Sequence, residues 1–355
     1  MHLTFRGMSP PGSAPTTRRT HRRLGLTVVG MASVVALLAT GCGPANHVAV
    51  TGAPKCRLTP ANSFWRSDVT GLPVHASSAA WKANARINNK GEVQEQLKAD
   101  FGPGFWEGDR IGIPYNVVPG NQPKVPVVFD LYEDESDPGP YPIKPGSLIE
   151  GANNLDDGDR HLLTFDKDNC ILYETGNTYP PAVTASGKWE ASGGAKWDMK
   201  TNAMRPDGWT SSDAAGLPIL PGLVRYEEFI SPVGIRHAIR VTVPRTASVY
   251  NWPASHKAGT GNIANTPPLG AWLRLKPGAY ASVDPSMKPI LDALKKYGAV
   301  IADNGSALFM TGVPDDRWDD PKLKTLGNIK ISDFDFVNTT SLKVADHSYA
   351  STTAS

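Results

Sequence analysis

The sequence predicts a mainly β domain, an antiparallel β-sandwich of jelly-roll type with a few short helices. Three observations lead there. Glycine (34) and proline (31) are plentiful and dispersed over the 355 residues, which suits many short strands joined by turns rather than a helical bundle. Short apolar runs bounded by Pro, Gly, Asn or Asp recur from Gly112 onward. Some of these runs alternate: across residues 235–243, Ile235, His237, Ile239, Val241 and Val243 share one face, and Arg236, Ala238, Arg240 and Thr242 the other.

Taken in order, residues 1–41 carry Arg6, Arg18, Arg19, Arg22 and Arg23 with no acid, followed by an apolar run over 24–39. That is the layout of a signal peptide, and the run is shorter than the ~20 residues a spanning helix needs. It ends in Leu38-Ala39-Thr40-Gly41-Cys42, which resembles the lipobox of bacterial lipoproteins and implies acylation of the Cys42 sulfur. Arg22-Arg23 leaves both the general and the twin-arginine export routes open. Residues 42–55 read as a flexible tether, 56–337 as one β-rich domain and 338–355 as a flexible tail.

Within the domain, a helix is expected over 77–87 around Trp81. Strands are expected over 125–131, 161–165, 171–174, 196–199, 223–229, 235–243, 248–252 and 270–275. Residues 134–145 hold four prolines and read as a loop. Asp284-Pro285 starts a second helix, whose apolar stripe is Ile290, Leu291, Leu294 and Tyr297 and whose end is Gly298. A hairpin is expected to pair 299–302 with 307–310 around Asn304-Gly305. Asp320-Pro321 begins a last short helix, which Gly327 ends.

Charge and cysteine content narrow the function. The chain's net +2 less the leader's five arginines leaves −3 for residues 42–355, so no basic surface for nucleic acid remains after cleavage. Cys56 and Cys170 are then the two remaining thiols in an oxidising compartment, which favours a disulfide over two buried free thiols.

The segments Gly112-Ile-Pro-Tyr115, Glu135-Ser-Asp-Pro-Gly-Pro-Tyr-Pro142, Gly158-Asp-Arg-His161 and Arg205-Pro-Asp-Gly-Trp-Thr-Ser-Ser-Asp-Ala-Ala-Gly-Leu-Pro218 carry a resemblance. So do Pro221-Gly-Leu-Val-Arg-Tyr226, His237-Ala-Ile-Arg240, Trp252-Pro-Ala-Ser-His256 and Tyr297-Gly-Ala-Val-Ile-Ala-Asp-Asn-Gly-Ser306. From about residue 62 to 336 the chain resembles a widespread family of uncharacterised secreted bacterial proteins and lipoproteins. The resemblance implies one ancient domain and supplies no activity.

Chemistry must therefore be sought in the polar blocks. Residues 198–213 gather Asp198, Arg205, Asp207, Trp209 and Asp213 in what reads as a long ordered loop, where sites commonly sit. The plain structural alternative is that Asp207-Gly208 is a turn and Arg205 an ion pair pinning the loop. His161 and His237 lie on apolar strand faces and suit core roles, whereas His256 in its loop suits a ligand contact. No His or Cys spacing marks a metal site, and Asp156-Asp157-Gly158-Asp159 is only a fragment of a calcium loop. The chain has neither a Gly-x-Ser-x-Gly elbow nor a glycine-rich phosphate loop, so serine-hydrolase and nucleotide chemistry lose support, and no cofactor is implied.

Two functions remain. One is a glycan-active enzyme. Hydrolysis would draw its carboxylates from Asp198, Asp213 and Glu227, and β-elimination would use His256 or Tyr250 with Arg240 or Arg274. The other is a non-catalytic lipoprotein binding glycan or another envelope component through the same residues. Trp209 and Trp252 would stack on a sugar while Arg205, Asp213 and His256 meet its polar groups, which requires 205–213 and 250–256 to share a pocket. The anchor has its own test: Cys42→Ala is expected to abolish metabolic labelling by radioactive fatty acid, and persistent labelling would show that the lipid sits elsewhere.

Overall fold

The computed structural model describes residues 47–352, apart from 89, 100, 107, 108, 153, 156, 157 and 279. Cys42, and the Asp156-Asp157 part of the calcium-loop fragment, therefore lie outside the described residues. Two sheets carry the fold. The larger has six strands in the order Lys98–Ala99, Phe309–Met310, Ile239–Val243, Ala299–Asn304, Trp272–Leu275 and Phe334–Val337. The smaller has four, in the order Tyr115–Val118, Leu162–Asp166, Ile171–Gly176 and Gly193–Asp198.

Both sheets are mixed, which corrects the antiparallel sandwich. Ile239–Val243 runs parallel to Ala299–Asn304, Tyr115–Val118 parallel to Leu162–Asp166, and Val127–Phe129 parallel to Trp189–Ala191. The reason lies in burial. All five residues of Ile239–Val243 are buried, so neither face is wet, as is usual where parallel strands are covered on both sides. The alternation read from the sequence is a difference between two buried faces, one apolar and one polar.

The expected hairpin is likewise split. Ile239–Val243 lies between Ala299–Asn304 and Phe309–Met310, pairing parallel with the first and antiparallel with the second. Residues 223–229 are not a strand: Leu220–Gly222 is a 3₁₀ turn and Tyr226–Ile230 a short helix with Glu227 and Glu228 in its first turn, where the helix dipole favours acids. Residues 248–252 make only isolated bridges, such as Tyr250 with Leu269.

The helices match the expected places. Ser78–Ala85 buries Trp81, and Lys288–Lys296 buries Ile290, Ala293 and Leu294 against the larger sheet after the 3₁₀ turn Pro285–Met287, whose start Asp284 caps through the Ser286 amide. Asp320–Lys324 is capped by Asp319. A small second core of Tyr141, Ile143, Ile149, Leu162 and Tyr173 fixes the proline-rich segment onto the four-stranded sheet.

Both ends of the domain are tied down, contrary to a tether and a tail free throughout. Val50 and Ala53 are buried, and Cys56 is bridged to Cys170 with a Cα–Cα distance of 5.5 Å. The bridge spans 114 residues of sequence, a loop whose closure stabilises by roughly 4–5 kcal/mol on the chain-entropy estimate. At the other end Leu342 and Tyr349 are buried; the Tyr349 carbonyl accepts from the Phe64 amide at 2.7 Å, and its hydroxyl donates to the Gly216 carbonyl at 3.0 Å. Two apolar side chains suffice to dock a segment whose Ser, Thr and Ala content suggested fraying. Among the described residues no helix is long and apolar enough to cross a membrane.

Candidate functional site

A charged side chain on a strand buried on both faces must be neutralised where it lies. Arg240 is that side chain. Its Nε and Nη2 donate to the two carboxylate oxygens of Asp213, each at 2.8 Å, and Nη1 donates to the Thr311 hydroxyl at 2.8 Å. Nη2 also lies 3.5 Å from an Asp303 oxygen. Asp213 is fully buried, so the loop that carries it is fastened over the sheet by a two-pronged pair.

Asp303 reaches this cluster through an irregularity in the ladder. Ile239, Arg240 and Val241 pair with Ala299, Val300 and Ile301, but Thr242 pairs with Asp303, so Ala302 is an extra residue. The shift gives Asp303 the place that residue 302 would hold in a regular ladder and brings it to the side of Arg240. The Ala302 carbonyl accepts from the Ala215 amide at 2.8 Å, so the Asp213 loop docks where the register changes. Burial, and next to it the charge of Asp213, push the Asp303 carboxyl up to about 7.

Beside this cluster is a second pair. The buried His161 ring meets a Glu150 oxygen through Nδ1 at 2.5 Å and the Ser212 carbonyl through Nε2 at 2.9 Å. Burial opposes charge on the ring, but the charge and hydrogen bond of Glu150 outweigh it and raise the pKa to about 10. His161 is therefore an imidazolium that donates both protons and fixes Glu150. The Glu150 side chain retains 24% exposure and opens on a groove of about 540 Å³.

Among the described residues that groove is lined by Lys98, Asp109, Arg110, Asp159, Ser306 and Phe309 as well as Glu150. Arg160 shapes its wall: the buried guanidinium donates to the carbonyls of Thr178 (3.1 Å), Gly151 (3.0 Å) and Asn154 (2.6 Å) and lies over the Tyr179 ring. Gly112 (φ 102°) lies so close to the neighbouring chain that a Cβ there would sit 2.6 Å from the Gly312 carbonyl oxygen, so only glycine fits. Asp159 is exposed, and its charge adds to the forces that raise Asp303.

The residues expected from the sequence are placed as follows. Segments 205–213 and 250–256 do meet: the Gly208 amide donates to the Ser255 carbonyl at 2.8 Å, and His256 Nδ1 lies 2.8 Å from the Ala214 carbonyl. They do not line one cavity. Arg205 belongs to a cavity with Asp198 and Tyr349, and Trp252 to another with Asn251, His75 and Lys343. Arg205 is a buried pin, bonded to Asp137, the Glu135 carbonyl and the Thr210 carbonyl and lying over the Trp197 and Trp209 rings.

The rest are dispersed. Glu227 accepts from Arg317 at 3.2 Å on the outer surface, and Asp198 is 41% exposed beside Lys200. Arg274 donates to the carbonyls of Val69, Thr70 and Leu72, and Tyr250 is half-buried in its bridge to Leu269. Trp252 donates its indole N–H to the Ser348 carbonyl at 2.9 Å. His237 is the core histidine expected of it, hydrogen-bonded to Glu228 and to the Ala238 carbonyl.

Glu150, Asp159 and Asp303 were missed. A signal existed for the last two, since they lie in two of the segments that carry the family resemblance, but Asp159 reads as a calcium fragment and Asp303 as part of a turn. Among the described residues no group of three or more His, Cys, Asp or Glu is placed to hold a metal ion. Comparison with family models, curated proteins and solved structures finds no match.

The raised His161 pKa has a pH signature. Its stabilisation is fully present below the ring's unfolded value of about 6.5 and is lost as pH rises through about 10. Glu150→Gln is therefore expected to lower Tm most near pH 6, and progressively less towards pH 10, in thermal scans. A Tm difference that does not vary with pH would exclude the charged pair.

Proposed function

We propose that this protein is an extracytoplasmic lipoprotein that hydrolyses a glycan in the groove lined by Glu150 and Asp159, with Asp303 within electrostatic reach of Asp159, and that it is anchored through acylated Cys42. The observation that carries the reading is the difference between the carboxylates lining the groove and a raised carboxyl within electrostatic reach of one of them. Asp303 keeps its proton to about pH 7, while Asp159 and the imidazolium-bound Glu150 face the groove. Glycosidic cleavage needs such a division, one carboxylic acid to protonate the leaving oxygen and one carboxylate to act as base or nucleophile. Asp303 takes the first role and Glu150 the second, with Lys98, Arg110 and Ser306 available to sugar hydroxyls. Cys56–Cys170 supports an oxidising destination.

The alternative, a non-catalytic binder with a flat aromatic strip, receives less support. Trp65, Trp81, Trp197, Trp272 and Trp318 are buried, and Trp209 has a guanidinium over its ring. Lyase chemistry would have to draw on His256, Tyr250, Arg240 and Arg274, of which Arg240 is taken up by Asp213 and Arg274 by the carbonyls of Val69, Thr70 and Leu72.

The test is release of reducing ends from a panel of envelope and plant polysaccharides. Asp303→Asn is expected to lower kcat at least 100-fold and to remove the high-pH limb of the kcat/KM profile. Because a carboxyl raised by burial costs stability as pH climbs through 7, the same variant should be as stable as the parent or more so at pH 8. Turnover unchanged by both Asp303→Asn and Glu150→Gln would refute the assignment, and binding without product across the panel would favour the binder.

A further inference from the structure

Trp81 of the helix Ser78–Ala85, Trp272 of the larger sheet, Trp252 and the segment 337–343 border an open cavity of about 360 Å³, within the ~300–1,000 Å³ range of small-ligand sites. None of its lining residues belongs to the Glu150 groove. The three indoles are fixed by the protein. Each N–H donates to a backbone carbonyl: Trp81 to Ile263 at 2.7 Å, Trp252 to Ser348 at 2.9 Å and Trp272 to Tyr297 at 2.8 Å. With their polar atoms taken, the rings offer the cavity carbon and π surface alone. Trp81 and Trp272 are buried, whereas Trp252 is half-buried and meets the Phe64 ring through an edge contact. Trp252 is therefore the ring placed for a stacking contact.

The polar groups around the rings are neutral, and several are unspent. Among the described residues the side chain of Asn251 and the hydroxyl of Thr339 make no hydrogen bond. Asn251 is nonetheless held firmly through its backbone. Its amide donates to the Leu269 carbonyl at 2.9 Å, and Gly270 (φ 82°) packs so close that a Cβ would sit 1.9 Å from the Asn251 carbonyl oxygen. Asn338 accepts the Thr340 amide through Oδ1 at 3.0 Å, which leaves its Nδ2 donors. His75 adds a donor of fixed sense: its ring stacks on Trp81 at 4.2 Å and Nδ1 accepts the Ser77 amide at 3.1 Å, so the proton sits on Nε2. Burial lowers the His75 pKa, so the ring is neutral at pH 7.

Charge then decides among ligands. Among the described residues no carboxylate lines the cavity, and its cation, Lys343, is met by Asp346 at 2.5 Å. An ionic ligand finds no open counterpart there, and without a carboxyl pair a glycan is held and not cleaved. A neutral pyranose meets the whole lining, since its hydroxyls suit amides and an imidazole and its C–H face suits an indole. We propose that this cavity is a second, non-catalytic glycan site, which takes a neutral pyranose unit stacked on Trp252 and hydrogen-bonded to Asn251, His75 and Asn338. The site stands apart from the proposed hydrolysis, because no residue of the groove takes part in it.

Isothermal titration of the purified protein with cellohexaose, laminarihexaose, maltohexaose and chitohexaose, each up to ~10 mM, tests this. At least one should bind, Trp252→Ala should weaken it about tenfold or more, and Trp252→Phe, which keeps a ring, should recover part of the loss. Asn251→Ala removes no side-chain hydrogen bond within the described residues, so it should weaken binding about threefold or more with Tm unchanged, which separates a lost contact from lost folding. Glu150→Gln should leave this binding as it is even where it stops turnover, so the two sites stand or fail separately. Three results would overturn the proposal: no binding by any of these oligosaccharides, binding unaltered in both Trp252→Ala and Asn251→Ala, or tighter binding of trigalacturonate than of the neutral probes.

Discussion

The fold depends on a cation that has no route to water. Placing Arg240 in a strand buried on both faces obliges the chain to bring acids to it, since an isolated buried guanidinium would cost many kcal/mol. Asp213 answers from a loop, Asp303 from the neighbouring parallel strand, and Thr311 from the segment after the antiparallel one. One side chain thereby ties together the parts that the order of strands separates. The irregular register at Ala302 and the docking of Ala215 on its carbonyl follow from bringing two carboxylates to the same guanidinium.

That arrangement has a chemical by-product. Two carboxylates share one Arg240, and Asp213 has the better geometry, two bonds at 2.8 Å against one contact at 3.5 Å for Asp303. Asp303 is left half-buried and only weakly paired, and loss of solvent together with the charge of Asp213 pushes its carboxyl up to about 7. His161 does the opposite for Glu150, supplying a dedicated buried cation. Two cations are thus divided unequally among three acids, and that inequality beside the groove makes it a better candidate for acid–base work than the tryptophan-bearing loops.

Local signals in the sequence were sufficient for local structure. The Asp284-Pro285 start and the Ile290, Leu291, Leu294 stripe specify their helix, and Cys56 and Cys170 find each other as the two thiols left for an oxidising compartment. Pairing between distant segments was not legible. Asn304-Gly305 reads as a hairpin turn because nothing nearby reveals that Ile239–Val243 inserts between the flanking strands. The tail reads as loose because the partners of Tyr349, which are Phe64, Asn202 and Gly216, lie far from it in the sequence. The site follows the same rule. Arg205, Asp213 and Arg240 were identifiable as important, yet which acid each arginine meets depends on topology. The meeting of Glu150 with His161 depends on the fold of a loop that lacks a pattern of its own.

The central claim is that the Arg240–Asp213 pair is an obligatory coupling and not an incidental contact. A double-mutant cycle with Arg240→Met and Asp213→Leu, read by urea unfolding near pH 7, measures it directly. Each single change strands a buried charge and is expected to cost about 3–5 kcal/mol, while the double variant should cost at least 2 kcal/mol less than the sum. Singles that each cost under about 1 kcal/mol, or losses that simply add, would contradict the account.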